Sequence, residues 1–250
     1  MIDIIIHGCG GKMGKVVESL VNGDENLRVV AGIDPREIDA PYPVFHKIDD
    51  CDIKADVIID FSTASAVPAL LDYCGKTKIP AVLCTTGFSD ELTAKVKETS
   101  NSVALLKSAN MSVGVNLIMN LVKKAADALF ESGFDIEILE KHHNQKIDAP
   151  SGTAIAIADS INEALGGKLN YIYDRSQVRE KRTHDQLGIS AVRGGTIVGE
   201  HDVIFAGQDE IITLSHTAMS KEIFAVGAVK AAKFLAGKPA GLYTMKEVLE

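Results

Sequence analysis

A short run of apolar, mostly β-branched residues, Ile2 to Ile6, breaks at Gly8-Cys9-Gly10-Gly11-Lys12-Met13-Gly14 and gives way to a helical pattern. Met13, Val16, Val17, Leu20 and Val21 recur at i, i+3, i+4, i+7 and i+8, the spacing of one helix face. Glycines packed between a strand and a helix permit a tight turn, a close backbone approach to a ligand and a helix N-terminus aimed at it. The spacing fits G-x-x-G-x-x-G through Gly8, Gly11 and Gly14 rather than the stricter G-x-G-x-x-G. Asp34 closes the next predicted strand, 20 positions after Gly14, where a carboxylate accepts hydrogen bonds from ribose hydroxyls. A glycine turn that merely links strand to helix is the plainer alternative; the strand-turn-helix context and Asp34 together favour a bound dinucleotide. Asp34 repels a 2′-phosphate and so favours NADH. Lys12 and Arg36, close by in sequence, can offset that repulsion. The reading is NADH with NADPH tolerated.

The same alternation continues. Val29 to Ile33, Val57 to Phe61, Ala81 to Cys84 and Val103 to Leu106 read as buried strands, with helical stretches such as Ala66 to Tyr73 and Asp90 to Glu98 between them. Strands buried on both faces and alternating with helices predict an α/β fold, a Rossmann-type doubly wound parallel sheet. Around Ser112 the pattern changes. A long amphipathic helix over 115–130 precedes Phe134 to Ile138, whose period-two alternation predicts a half-exposed strand ending near Leu139. Ala154 to Leu165 is helical and closed by Gly166 and Gly167. Ile189 to Val192, Thr196 to Ile204 and Ile211 to Leu214 read as strands, and Lys221 to Leu235 as a final helix. The second half is therefore expected to be an α+β domain with an open, mixed sheet.

The chain's 250 residues, 46% of them hydrophobic, suffice for two cores. Against 34 acidic side chains stand 26 basic ones, a net charge of −8, which disfavours nucleic acid or an anionic membrane as partner. Cys9, Cys51, Cys74 and Cys84 have no Cys-x-x-Cys spacing, so neither a disulfide framework nor a zinc ribbon is expected. The opening residues lack the features of a signal peptide, and no apolar run approaches a membrane span. The expected location is cytoplasmic.

Two further segments carry chemistry. Thr85-Thr86-Gly87 follows the strand at Ala81 to Cys84, at the carboxyl edge where parallel sheets bind ligands. It reads either as a nicotinamide contact or as an ordinary turn, while Cys84, with no adjacent histidine to activate it, reads as core. The densest polar stretch is Glu140-Lys141-His142-His143-Asn144-Gln145-Lys146-Ile147-Asp148-Ala149-Pro150-Ser151-Gly152-Thr153. Ser151-Gly152-Thr153 would form the N-cap and first turn of a helix, a carboxylate or phosphate site built from backbone N–H groups and hydroxyls. Lys146 adds a positive charge, and the histidines supply protons near neutral pH. A helix cap, a solvated turn and a metal site compete with this reading. Adjacent histidines in an extended chain point opposite ways and no further ligands lie at zinc-like spacing, so no metal is expected. Concentration of these groups in a dozen residues favours an anion-binding acid/base site.

GCGGKMG, TTG at 85–87, SANMSVGVN at 108–116, EKHHNQKIDAPSGTA at 140–154, VRGGTIVGEHDVIF at 192–205 and SHTAMSKEIFAVGAVKAA at 215–232 resemble the dihydrodipicolinate reductase family over nearly the whole chain. The resemblance implies NADH- or NADPH-dependent reduction of 4-hydroxy-tetrahydrodipicolinate (dihydrodipicolinate) to tetrahydrodipicolinate in lysine and diaminopimelate biosynthesis. It implies catalytic roles for His142 and Lys146 and a substrate site of His143, Lys146, Ser151, Gly152 and Thr153. It implies cofactor contacts at Gly8, Cys9, Gly10, Gly11, Lys12, Met13, Asp34, Thr85, Thr86, Gly87, Ser108, Ala109, Asn110 and Met111. Which of His142 and Lys146 donates the proton stays open. The family's plan revises the domain boundaries: residues 1–112 with 221–250 would bind the dinucleotide, and 113–220 would bind substrate and build a homotetramer. Hinges near Ser112 and Ser220 would let the two close over the ligands.

Three departures stand out. Lys221 occupies a position where members often carry arginine, Met111 one where an aromatic residue is frequent, and Asp34-Pro35 replaces an acidic-then-basic pair. Two other readings remain: another Rossmann amino-acid or semialdehyde dehydrogenase, and a non-enzymatic NAD(H) sensor. A sensor needs the glycine turn and Asp34 but has no use for the stretch from His142 to Thr153. The short-chain dehydrogenase pattern is absent, since no tyrosine has a lysine four residues later.

Overall fold

The computed structural model describes residues 1–177 and 179–250. They form two compact units, one of residues 1–113 with 222–250 and the other of 114–221.

The first unit opens with β1 (Ile2–His7), α1 (Lys12–Asn22), β2 (Leu27–Ile33), β3 (Val44–Phe45), β4 (Val57–Asp60), α2 (Val67–Thr77), β5 (Ala81–Leu83), α3 (Asp90–Ser100) and β6 (Ala104–Lys107). The second begins within α4 (Val113–Leu129) and adds β7 (Asp135–His142), α5 (Gly152–Ala164), β8 (Asn170–Ile172), β9 (Gln186–Arg193), β10 (Gly199–Ala206) and β11 (Ile211–Ala218). The chain then returns to the first unit through α6 (Glu222–Leu235), β12 (Gly241–Tyr243) and α7 (Met245–Leu249).

All strand pairs of the first sheet are parallel, in the order β12-β6-β5-β4-β1-β2-β3. Parallel strands need crossover helices, which cover both faces and explain the unbroken apolar runs. Ile4 and Ile6 point into one core with Val17 and Val21 of α1 and Ala228 and Ala232 of α6. Ile5 points the other way, into a core with Leu70 and Leu71 of α2 and Val96 of α3. The order reverses between β1 and β4, the switch point at whose carboxyl edge such sheets bind ligands. The expected α/β class, with its parallel sheet and mixed second sheet, is the observed one.

The five-stranded sheet runs β11-β10-β7-β9-β8; β7, β8 and β9 are mutually parallel, and β10 is antiparallel to both of its neighbours. Along β7 burial alternates residue by residue. Ile136 and Ile138 face a core with Val203 and Phe205 of β10, Val122 of α4 and Ile157 of α5. Several expected boundaries move, among them those of β9 and β11, which extend over 186–193 and 211–218. β7 runs on to His142 because its ladders continue, pairing Lys141 with Glu200 and His142 with Arg193. Thr196 to Val198 is not strand: Gly195, at φ 49°, turns the chain and β10 starts at Gly199.

Candidate active site

The glycine turn sits at the switch point. Gly8 has φ 87°, and a Cβ there would lie 2.6 Å from the Phe61 carbonyl oxygen, so only glycine fits. The turn consumes its own early N–H groups. Gly8 and Cys9 donate to Ile33 O, Gly11 to Gly8 O, and Gly10 to Asp34 Oδ2 at 3.0 Å. The next helix begins bare: Gly11 is the N-cap of α1 and no side chain caps it, whereas Ser89, Ser151 and Thr244 cap α3, α5 and α7. Lys12, Met13 and Gly14 therefore offer the positive end of α1 to an anion.

Asp34 is buried at the end of β2. Its carboxylate accepts from the backbone N–H of Arg36 at 3.1 Å and from that guanidinium at 2.9 and 3.1 Å. The Arg36 side chain holds the Asp34 carboxyl below the usual carboxylate range against the opposing effect of burial. After β5, Thr85 is buried with its hydroxyl unpartnered and its carbonyl accepting from Lys107 Nζ at 2.9 Å, while Thr86 and Gly87 are more open. Cys84 is half-buried against the core, and burial pushes its thiol up, which suits packing rather than nucleophilic chemistry. Ser108 and Asn110 are half-buried and Ala109 exposed; the Met111 and Cys9 side chains belong to the core, so those two residues can offer a ligand only backbone. The uncapped α1, the carboxylate at the strand end and the unpartnered Thr85 hydroxyl together fit a dinucleotide.

In the second unit the polar stretch assembles around Glu140, to which the reading of the sequence gave no role. Its carboxylate is fully buried. Oε2 lies 2.6 Å from His142 Nδ1, and Oε1 accepts from Ser151 N at 2.9 Å. Both oxygens accept from Arg193, each at 2.7 Å. Burial alone would raise this carboxyl; hydrogen bonds from Arg193, His142 and Ser151 outweigh it and hold it below its ordinary range. Ser151 is the buried N-cap of α5, its Oγ accepting from Ala154 N at 3.1 Å and lying 3.1 Å from His201 Nε2. The His142 and His201 rings meet edge-on with centroids 5.2 Å apart. Burial pushes His201 down to about 4, with His142 a smaller contributor, so His201 is neutral at neutral pH.

Lys146 donates to both Asp148 oxygens at 2.7 and 2.9 Å and thereby lowers the Asp148 carboxyl. His143 is half-buried just beyond the strand, Gly152 is exposed and Thr153 half-buried in the first turn of α5. The Ser151 N–H and hydroxyl are committed to the fold, and the Gly152 N–H helps to lower the Asp148 carboxyl, so an anion reaching this helix end competes with Asp148 there. Glu140, Arg193 and His201 went unassigned from sequence, yet one signal pointed to Glu140. It falls in register with Ile136 and Ile138 on the buried side of β7, where a carboxylate must have partners. Among the described residues no three His, Cys, Asp or Glu side chains group as a metal site.

A bare helix N-terminus at the switch point of a parallel sheet, together with a buried histidine–carboxylate cluster beside a second helix N-terminus, defines a Rossmann-type oxidoreductase acting on a small anionic substrate. Comparison with known proteins is specific. Residues 2–111 match the family described as dihydrodipicolinate reductase, N-terminus, and residues 114–249 the family described as dihydrodipicolinate reductase, C-terminus. The chain belongs to the dihydrodipicolinate reductase family. It is 52% identical to the 4-hydroxy-tetrahydrodipicolinate reductase of Caldanaerobacter subterraneus subsp. tengcongensis over 250 residues, covering 100% of this chain and 99% of that protein. Against the same enzyme of Clostridium novyi it is 49% identical, covering 100% and 99%. The solved structure of dipicolinate-bound dihydrodipicolinate reductase from Paenisporosarcina sp. TG-14 superposes with a TM-score of 0.82 at 27% identity, covering 98% of this chain and 97% of that one. Aspartate dehydrogenase from Thermotoga maritima, at TM-score 0.53 and 13% identity, shares the fold alone. The activity is the family's: NAD(P)H-dependent reduction of 4-hydroxy-tetrahydrodipicolinate in lysine and diaminopimelate biosynthesis. Neither a sensor nor another Rossmann dehydrogenase is favoured.

Proposed function

We propose that the two units divide the reactants of this reduction between them. In the first unit the N–H groups of Lys12 to Gly14 hold the dinucleotide's pyrophosphate, Asp34 accepts from its adenosine ribose, and Thr85 to Gly87 with Ser108 to Met111 line the nicotinamide end. The dinucleotide supplies the hydride. In the second unit a substrate carboxylate docks against Lys146 and the N–H groups of Gly152 and Thr153, with His143 at the rim. Positive charge at Lys146 and at the end of α5 draws electron density from the substrate ring. The 4-hydroxyl leaves as water to give the conjugated dihydro ring, the hydride adds to that ring, and His142, with Lys146 as the other candidate donor, hands over the proton that completes the reduction.

The observation that carries this reading is a single shared carboxylate. Glu140 binds His142 through one oxygen and the start of α5 through the other, so the imidazole ring and the helix N-terminus share one carboxylate, which supports this reading. Dipicolinate, bound by the Paenisporosarcina relative, is the natural probe for the dicarboxylate.

The protein acts in the cytoplasm as a homotetramer. Among the described residues no helix is long and apolar enough to cross a membrane. The outer face of the five-stranded sheet leaves Val192 and Ile211 exposed, a surface suited to a second copy of the chain. The test of function is cofactor oxidation with substrate generated in place from pyruvate and aspartate semialdehyde by a dihydrodipicolinate synthase. Oxidation of NADH or NADPH that depends on this protein supports the reading; none with either cofactor overturns it.

A further inference from the structure

Glu140 has more partners than a structural ion pair needs, and they arrive from three separate segments. Arg193 comes from β9, Ser151 from the start of α5, and His142 from two residues further along β7. Arg193 Nη2 also donates to Asp148 O at 2.7 Å, which ties the loop carrying Lys146 to the same guanidinium.

We propose that Glu140 and Arg193 are a positioning pair for proton transfer by His142: Glu140 fixes the ring with its hydrogen on Nδ1, leaving Nε2 to exchange the proton, and Arg193 sets how much of the carboxylate's charge acts on the ring. This role rests on His142 being the group that moves the proton. An ionised carboxylate only accepts, so at 2.6 Å the Nδ1 atom must be the donor. The other nitrogen is kept clear, since Gly199 faces it and a Cβ there would lie 3.0 Å from Nε2. Arg193 grips the carboxylate with both Nη atoms in the bidentate geometry that only a guanidinium offers.

The electrostatic surroundings allow the pair to act in this way. Glu140 reaches His142 from its own strand and Arg193 from β9. His201 approaches from β10, opposite His216 on β11, and Lys146 and Asp148 lie on the following loop. The two β10 and β11 histidines are pushed down by burial and add no positive charge at neutral pH. Around the ring there remain two cations and two carboxylates, with Glu140 the one in contact. A residue that orients a functional histidine in this manner is worth about 10- to 100-fold in related arrangements.

The test is kcat and KM across pH for the full-length wild type, Glu140→Gln, Arg193→Gln and Arg193→Lys, with thermal unfolding recorded for each. It is joined by NMR of 15N-labelled histidine, the His142 signal being assigned from His142→Asn. Glu140→Gln should lower kcat about 100-fold with KM within a few-fold. The His142-dependent limb of its pH profile should move to lower pH, because the negative charge beside the ring is gone. Arg193→Gln should move the same limb to higher pH, and Arg193→Lys, which keeps the charge but not the bidentate grip, should bring it part of the way back. In the NMR spectrum neutral His142 should carry its hydrogen on Nδ1 in the wild type and on Nε2 in Glu140→Gln, because a glutamine amide can donate to Nδ1. A purely structural pair would lower stability and leave the limb and the tautomer where they are. Limbs moving together or not at all, or an unchanged tautomer, overturn the proposal. Should the wild type fail to turn over, the assigned activity falls, and the tautomer measurement still decides the pairing. If Glu140→Gln does not fold, the two arginine variants decide it.

Discussion

Both sites rest on a buried carboxylate gripped by an arginine, but the two pairs are built on different scales. Asp34 and Arg36 are two residues apart, and the Arg36 side chain is 63% exposed, so solvent screens the pair and a ligand can compete for either partner. Glu140 and Arg193 are 53 residues apart; the carboxylate is fully buried and the arginine side chain 20% exposed. Removing one partner there strands the other in a poor dielectric. The helix ends differ in the same sense. α1 begins bare on glycine, whereas α5 begins on a serine committed to the fold. The first site is backbone geometry with a replaceable pair of charges, as suits a cofactor that binds and leaves. The second is a fixed lattice of side chains, as suits chemistry that depends on one ring orientation.

The largest expected effect breaks the second site and spares the first. His142→Asn should lower kcat about 1000-fold while NADH binding, followed by fluorescence, stays at the wild-type value. Next comes acid. His201 is neutral in the fold and titrates at about 4 there, against 6.5 when unfolded, so the unfolded chain takes up its proton first. Its contribution is complete above pH 6.5 and lost as pH falls toward 4, about 3 kcal/mol over that window. Denaturant unfolding at a series of pH values should show this loss, and His201→Gln should flatten it. Lys146→Ala should raise KM and lower kcat together, about 100-fold in kcat/KM, because the ammonium both binds and polarises. If it kept normal kinetics, Lys146 would have no part in the site. The smallest effect belongs to the replaceable pair. Arg36→Ala should shift the preference between NADPH and NADH by a few-fold toward NADH, and added salt should erase the difference.

This contrast also explains what could be read from the chain. The strand, glycine turn and α1 are contiguous in sequence, so period and glycine spacing revealed them together. Ser151 was legible as a cap because capping is local. The Glu140–Arg193 clamp was not, since it exists only through the register of β7 with β9, and one slipped residue would place Arg193 on the other face. The short strands β3, β8 and β12 also went unread: two or three residues are too few for a period to show, and their pairing comes from neighbours already in place. α7 was missed too, although Thr244 and Glu247 form a capping box at its start. That the last helix joins the first unit came from the family resemblance and not from the residue pattern, because helical periodicity does not say which core a helix enters; 222–250 fold with residues 1–113.

The claim that one helix end takes the cofactor and the other takes the substrate is tested most directly by amide hydrogen exchange, with NADH or dipicolinate added alone to the full chain. The account predicts that NADH slows exchange at Lys12 to Gly14 and that dipicolinate slows it at Gly152 and Thr153. Dipicolinate protection confined to the glycine turn, with 143–153 unchanged, would contradict it.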